Sequence, residues 1–294
     1  MGKILIINID SNKIPNLALK KIEKYHLDMG DEVMWDMPLF AHLSDKIYVS
    51  CVFEKNKDKA KEWEGRALIG GSGYSLDIEL PEKIENIKPR INMGFTTRGC
   101  IRNCKFCIVP QKEGKIRKVG DLLDLWDGKS KDIVLIDNNI LALPDHFKFI
   151  CRQARDNNIR LDFNQGLDFR LLTEDLLKEL IKTKTSDYRF AFDNIKYFPK
   201  IRETIDLLNK HNISALWYVL VNFDSTFEED LERINYIHSN NQRAYVMRYN
   251  SDFADRKYIA LARWVNSPYW RNAMTFKDFC KRNKYYDLVE KYGK

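Results

Sequence analysis

The chain is short of several things whose absence narrows its class. The N-terminal apolar run, Ile4 to Ile9, is only a strand long, and no stretch approaches the roughly 18 residues of a membrane span, so no membrane partner is expected. No basic region precedes that run, and no signal peptide is read there. A disulfide framework is missing too. Of six cysteines, three fall within eight residues, which points to metal binding in a reducing compartment, with the cytoplasm as default. The five histidines (26, 42, 146, 211 and 238) have no ligand spacing with one another and are expected at surface or capping positions. A strong charge of one sign is also absent: the net charge is +7 over 294 residues, a length that allows one large or two modest domains.

What is present is a cysteine loop. Cys100, Cys104 and Cys107 lie in Gly94-Phe95-Thr96-Thr97-Arg98-Gly99-Cys100-Ile101-Arg102-Asn103-Cys104-Lys105-Phe106-Cys107. Thiolates favour iron–sulfur clusters or zinc, and x3 and x2 spacings let one loop wrap one face of a compact ligand. A structural zinc site is closed by a fourth ligand. Three local ligands to a four-iron cluster instead leave one iron open for a small molecule. The alternative is a zinc-binding turn completed by Cys51, Cys151, Cys280 or a histidine.

The hydrophobic rhythm divides the chain. Residues 1–80 alternate strand and helix patterns: strands at Lys3–Asp10, Glu32–Asp36, Asp45–Phe53 and Arg66–Gly73, helices at Asn16–Gly30 and Asn56–Trp63. Strands separated by helices imply a parallel sheet, here a small Rossmann-like unit. Residues 81–89, bounded by prolines and rich in charge, read as a linker. From 90 to 250, strand patterns at Ile91–Thr97, Asp132–Asn138, Arg160–Gln165, Tyr188–Asp193, Leu216–Phe223 and Arg243–Tyr249 alternate with five amphipathic helices. Residues 251–294 form a basic, aromatic-rich extension. From 255 onward ten basic residues face four acidic ones, and Tyr258, Trp264, Tyr269, Trp270 and Phe276 are among its aromatics. Such a mixture can hold nucleic acid. The favoured reading is a short helical cap with aromatics in its core and lysines in solvent.

The cysteine loop with Phe106 before its last ligand, and the six-strand beat that follows, resemble the radical S-adenosylmethionine (radical SAM) superfamily over roughly residues 90 to 250. The resemblance implies a [4Fe–4S] cluster on Cys100, Cys104 and Cys107, whose open iron chelates SAM. It implies reductive cleavage to methionine and a 5′-deoxyadenosyl radical, which abstracts hydrogen from an unidentified small-molecule or nucleotide-like substrate. An electron donor such as flavodoxin or ferredoxin is implied as partner. The fold class is then α/β: a Rossmann-like domain, a partial (βα)6 TIM-type barrel and the helical extension, with chemistry at the C-terminal strand ends. The K-x-P-N-x-A-L and G-G-x-G-Y segments of the first domain resemble a cobalamin-binding domain. There Asn12 stands where the cobalt-ligating His belongs and Pro15 where Gly belongs, so cobalamin is not the favoured cofactor.

By position in the family pattern, several strand-end residues become cofactor-binding candidates. Phe106 is a contact for the SAM adenine or a plug for the loop. Asp137, Asn138 and Asn139 offer acceptors to the SAM ammonium, or cap a helix. Gln165, Asp168 and Arg170 suit the SAM carboxylate and ribose or the substrate, with an internal Asp168–Arg170 pair as alternative. Asp193 is placed to meet the ribose hydroxyls or the amino group. Asn222 stands where Gly is usual, which puts close backbone approach to adenine in doubt, and Met247 closes the adenine pocket or fills the barrel core. No residue is assigned a catalytic role. A methylthiotransferase-like second cluster is discounted, because Cys51 is alone among N-terminal cysteines. A cobalamin-dependent radical SAM methyltransferase is the alternative within the class. Outside it stands a non-enzymatic iron–sulfur or zinc protein binding nucleic acid through its tail.

Overall fold

A computed structural model describes residues 1–10, 15–249 and 255–292. Asn12 and the expected boundary at 250 lie outside them. The chain forms two compact units, one of residues 1–103 and 107–133 and one of residues 104–106 and 134–294.

In the first unit, β1 (Lys3–Asn8), β2 (Glu32–Trp35), β3 (Lys46–Ser50) and β4 (Leu68–Gly70) make a parallel sheet in the order β2-β1-β3-β4. Alternating side chains explain why it is covered on both faces. Leu5, Ile7, Ile47 and Val49 pack with Ala60 of α2 (Lys57–Lys61) on one side. Ile4 and Ile6 pack with Leu19 and Ile22 of α1 (Leu17–Asp28) on the other. Full burial of Leu5 and Ile6 is worth ~1.5–3 kcal/mol each. Helix α1 starts at Asn16, whose side chain accepts from the Leu19 amide at 3.2 Å, an N-cap legible in the sequence. Residues 81–89 include α3 (Glu82–Glu85), whose Ile84 joins the α1 face and whose Glu85 pairs with Lys21 at 2.9 Å. This unit also holds β5 (Met93–Gly94), β6 (Thr97–Arg98) paired antiparallel with β7 (Arg117–Lys118), α4 (Val109–Lys112) and α5 (Leu122–Leu125).

The second unit keeps the alternating beat. It runs from β8 (Asp132–Leu135, begun in the first unit) through α6 (Pro144–Asp156), β9 (Arg160–Phe163), α7 (Glu174–Lys182) and β10 (Arg189–Ala191). It continues through α8 (Phe198–Lys210), β11 (Leu216–Val221), α9 (Phe227–Ser239) and β12 (Arg243–Arg248). Strands β10, β11 and β12 form a parallel sheet with Arg189 opposite Leu216 and Leu216 opposite Arg243. Strand β9 lies beside β8 in another sheet. One continuous six-stranded barrel sheet is therefore not formed among the described residues. Between β9 and β10 the backbone is joined by an isolated parallel bridge, Leu161 to Thr185, while Asp162 and Arg189 make an ion pair.

Beyond β12 come α10 (Arg256–Val265), α11 (Pro268–Ala273), α12 (Phe276–Arg282) and α13 (Tyr286–Tyr292). Their aromatics are largely core: Trp264 packs on Phe276 at 5.4 Å and Phe227 on Tyr258 at 5.4 Å, whereas Tyr269 and Tyr286 are exposed. The Asn266 amide accepts from Val246 N at 2.7 Å and donates to Val246 O at 3.0 Å, blocking the edge of β12. No helix among the described residues is long and apolar enough to cross a membrane.

Candidate functional site

The cysteine loop is held by what surrounds it. Gly99 has φ +82°, a left-handed conformation, and a Cβ there would come within 2.3 Å of the Lys115 carbonyl oxygen. Only glycine lets the chain turn into Cys100, whose amide then donates to Gly114 O at 3.1 Å. The Arg102 amide donates to Cys100 Sγ at 3.3 Å. Arg98 is no solvated loop charge. It pairs with Glu113 and Glu85, each at 2.5 Å, and its guanidinium lies 4.8 Å from the Phe95 ring. Lys112 donates to the Leu76 and Ile78 carbonyls at 2.7 Å, so it too is structural.

All three loop cysteines are partly exposed. The other three are buried, and burial pushes their thiols up: Cys151 to about 12, Cys280 to about 11, and Cys51 above its usual value. A core thiol held protonated is a poor fourth ligand. Among the described residues no three Cys, His, Asp or Glu side chains are gathered around a single ion position. A zinc site draws its sulfurs to ~2.3 Å from one ion. With the other three thiols held protonated in the core, the loop offers three thiols without a fourth cysteine beside them among the described residues.

Cys104 and Phe106 belong to the second unit, and there several candidates meet. Asn139 Nδ2 donates to Asp168 Oδ2 at 3.1 Å, and Arg170 Nε donates to Asp168 Oδ1 at 2.6 Å. This links the ends of β8 and β9. Arg170 also lies over the Phe169 and Tyr197 rings at 5.4 and 5.2 Å. Burial works against its charge, but the Asp168 hydrogen bond, the Asp168 charge and the Cys104 sulfur hold it above the ordinary guanidinium value. The Asp168–Arg170 pair is thus both formed and within the field of a loop cysteine. Asp193, after β10, feels the same cation. Desolvation pushes its carboxyl up to about 6, against the pull of Arg233, a hydrogen bond from Leu220 N and Arg170.

Phe106 packs edge-on against Phe223 at 5.4 Å, and Phe223 against Tyr249 at 4.5 Å, at the ends of β11 and β12. Asn222, beside Phe223, has φ +62°. It therefore takes the glycine-like conformation that its side chain had put in doubt, which Asn tolerates better than most residues. Asp137 and Asn139 are buried, and Asn138 Nδ2 is a buried donor without a hydrogen-bond partner among the described residues. Two candidates stand apart: Gln165 is exposed in a turn, and Met247 is exposed on the edge strand β12 rather than in a core. Sequence reading missed Arg233 and Asp230 of α9, which look like ordinary surface residues of an amphipathic helix yet are fully buried. It also misjudged His26, which is buried between Asp31 at 2.7 Å and the Tyr48 hydroxyl at 3.0 Å.

The chain thus combines an α/β fold, an N-terminal parallel-sheet unit and a three-cysteine loop. The chain is 29% identical over 139 residues to tRNA-2-methylthio-N(6)-dimethylallyladenosine synthase of Malacoplasma penetrans (strain HF-2), covering 45% of this chain and 24% of that protein. It thus spans about a quarter of the length of that curated relative. The fold is similar to that of TsrM from Kitasatospora setae, a radical SAM methyltransferase solved with cobalamin and a [4Fe–4S] cluster bound. There the TM-score is 0.63 at 12% identity, over 84% of this chain and 74% of TsrM. TsrM with tryptophan substrate and the SAM analogue aza-SAM gives a TM-score of 0.62 at 12% identity, over 84% and 73%. No protein-family profile matches the chain. The chain thus carries a Rossmann-like N-terminal unit within an α/β fold similar to that of TsrM.

Proposed function

We propose that this protein is a radical SAM enzyme. Cys100, Cys104 and Cys107 hold a [4Fe–4S] cluster, and the strand ends of the second unit hold SAM. The observation that carries this reading is the placement of Cys104–Phe106. In that segment the Cys104 sulfur acts electrostatically on Arg170 of the Asn139–Asp168–Arg170 network, and Phe106 packs on Phe223, which packs on Tyr249. When bound, the cluster supplies the electron that splits SAM into methionine and a 5′-deoxyadenosyl radical.

The chain's residues then divide the work. Arg170, fixed by Asp168, presents a guanidinium to a carboxylate. Asp137 and the Asn139 carbonyl oxygen offer acceptors to an ammonium. Phe106 and the Asn222 backbone offer a flat apolar surface and close approach to a purine. An electron donor of the flavodoxin or ferredoxin kind and a small-molecule substrate complete the reading. The test is anaerobic reconstitution with iron and sulfide, followed by SAM and dithionite. 5′-Deoxyadenosine is expected, and its absence, with an EPR signal that SAM does not move, would sink the assignment.

A second reading, a cobalamin-dependent methyltransferase, is favoured by one feature of the first unit. Met37 and Phe40 after β2, and Val52 and Phe53 after β3, are exposed beyond the C-terminal ends of the two parallel strands that flank β1. That is where open α/β sheets take large ligands. Asp10 leaves little for an axial ligand to lean on, since its carboxylate already accepts from Val52 N at 2.5 Å and Phe53 N at 3.2 Å and from the Asn56 amide at 2.9 Å. Cobalamin here would have to bind through its apolar faces. A corrinoid absorption spectrum after loading with cobalamin, lost in a Phe53→Asp variant, tests this.

A further inference from the structure

We propose that Arg233 and Asp230 of α9, with Tyr258 of the C-terminal extension, are positioning residues that hold the strand ends carrying Asp193 and Asn222 in the shape a nucleoside-bearing cosubstrate requires. This rests on the radical SAM reading above and adds to it a role for the helices after β12.

Arg233 and Asp230 form an ion pair with no exposed side-chain surface. A buried pair is a weak source of stability, since its desolvation roughly offsets its attraction, and an apolar pair of similar volume does as well. What it supplies is direction. Arg233 donates to the carbonyls of Phe192 and, at 2.8 Å, Leu220. Phe192 immediately precedes Asp193 and lies just past the last β10–β11 pair, Ala191 to Tyr218. Leu220 in turn donates its amide to the Asp193 carboxylate. One guanidinium fork thus fixes the backbone on both sides of Asp193.

Asp230 does the same for Asn222. It accepts from the Asn222 amide at 3.3 Å and from Ser225 Oγ at 2.6 Å, pinning the turn in which Asn222 adopts φ +62°. Tyr258, buried on α10, hydrogen-bonds to Asp230. The chain of contacts therefore runs from the extension to both strand ends. The groups facing the Asp193 carboxylate are Arg233 from α9, Arg170 after β9 and the Leu220 amide from β11.

The experiment compares reconstituted wild type with Tyr258→Phe and Arg233→Lys. Tyr258→Phe removes one hydroxyl from a packed ring and keeps the fold. Arg233→Lys keeps the charge and loses the fork. SAM affinity by equilibrium dialysis is expected to fall about tenfold in each, the loss of one hydrogen bond to a charged group, at wild-type iron content. Amide exchange at Phe192, Asp193 and residues 220–222, measured without SAM, is expected to quicken while that of β8 stays the same. A merely structural role would lower the melting temperature and leave the affinity alone. Folded, iron-replete variants with wild-type SAM affinity overturn the proposal. Wild type that loads its cluster yet binds no SAM overturns the radical SAM reading and the ligand assigned here, while the exchange rates still decide whether the network holds the strand ends.

Discussion

The six cysteines separate into two chemistries by burial, and each residue's environment predicts its behaviour. Cys104 is partly exposed on the loop, whereas Cys151 is buried with its thiol pushed up to about 12. Cys104→Ala is expected to lose most of its cluster iron with the circular dichroism melt unchanged. Cys151→Ala is expected to keep its iron and lose about 1–2 kcal/mol of stability to a small cavity. Equal iron loss in both would mean that burial does not sort ligand from core thiol. Asp193 gives a pH signature. Its folded carboxyl, near 6, lies above the ordinary value of about 3.9, so folding favours the protonated form. Below pH ~4 there is no penalty. It grows as pH rises to 6 and is complete above, approaching about 2–3 kcal/mol at most. Asp193→Asn should therefore match wild type near pH 4 and exceed it in stability near pH 7.5, by denaturant titration at both pH values. A difference of the opposite sign at pH 7.5 would show that the Arg233 and Arg170 charges outweigh desolvation.

At the scale of elements, the loop depends on one backbone conformation. Gly99→Ala would place a methyl against the Lys115 carbonyl at a residue with φ +82°, and is expected to cost about 2 kcal/mol or more. Because β6 and the entry to Cys100 shift with it, iron content should fall as well, which distinguishes it from a surface Gly→Ala change such as Gly128. Helices α7 (Glu174–Lys182) and α9 (Phe227–Ser239) are set locally, each capped by the threonine before it, Thr173 and Thr226. The strands were legible by existence and overlong by one to five residues, as where Asp137, Asp193 and Phe223 continue the pattern after the ladders end. The seam between β9 and β10 was not legible. Asp162 and Arg189 are 27 positions apart, and each by itself reads as an outward-facing strand residue. The same holds for the site. The cysteine loop is local and was read from spacing, whereas Asn139–Asp168, Phe223–Tyr249 and the buried Arg233 exist only once distant elements pack.

For the whole molecule, the sequence match and the fold match differ in extent. The sequence match is to a methylthio-adenosine synthase, but over 24% of it, while the fold match to TsrM spans 84% of this chain. The chain's own thiols discriminate. A second cluster would need three further thiolates gathered at one place. Instead Cys51 is packed in the core of the first unit, and Cys151 and Cys280 are buried in the second, all three with thiols pushed above their usual value. Extracting any of them as a thiolate would cost core packing as well as deprotonation. The reconstituted protein is thus expected to hold about four irons per chain rather than about eight, the content of one four-iron cluster against two. A Cys51→Ser/Cys151→Ser/Cys280→Ser variant should hold the same amount as wild type. Iron and sulfide analysis after anaerobic desalting measures this directly. A count near eight that falls by half in the triple variant would show a second cluster built on the buried thiols. A count near four in both confines the iron to the three-cysteine loop.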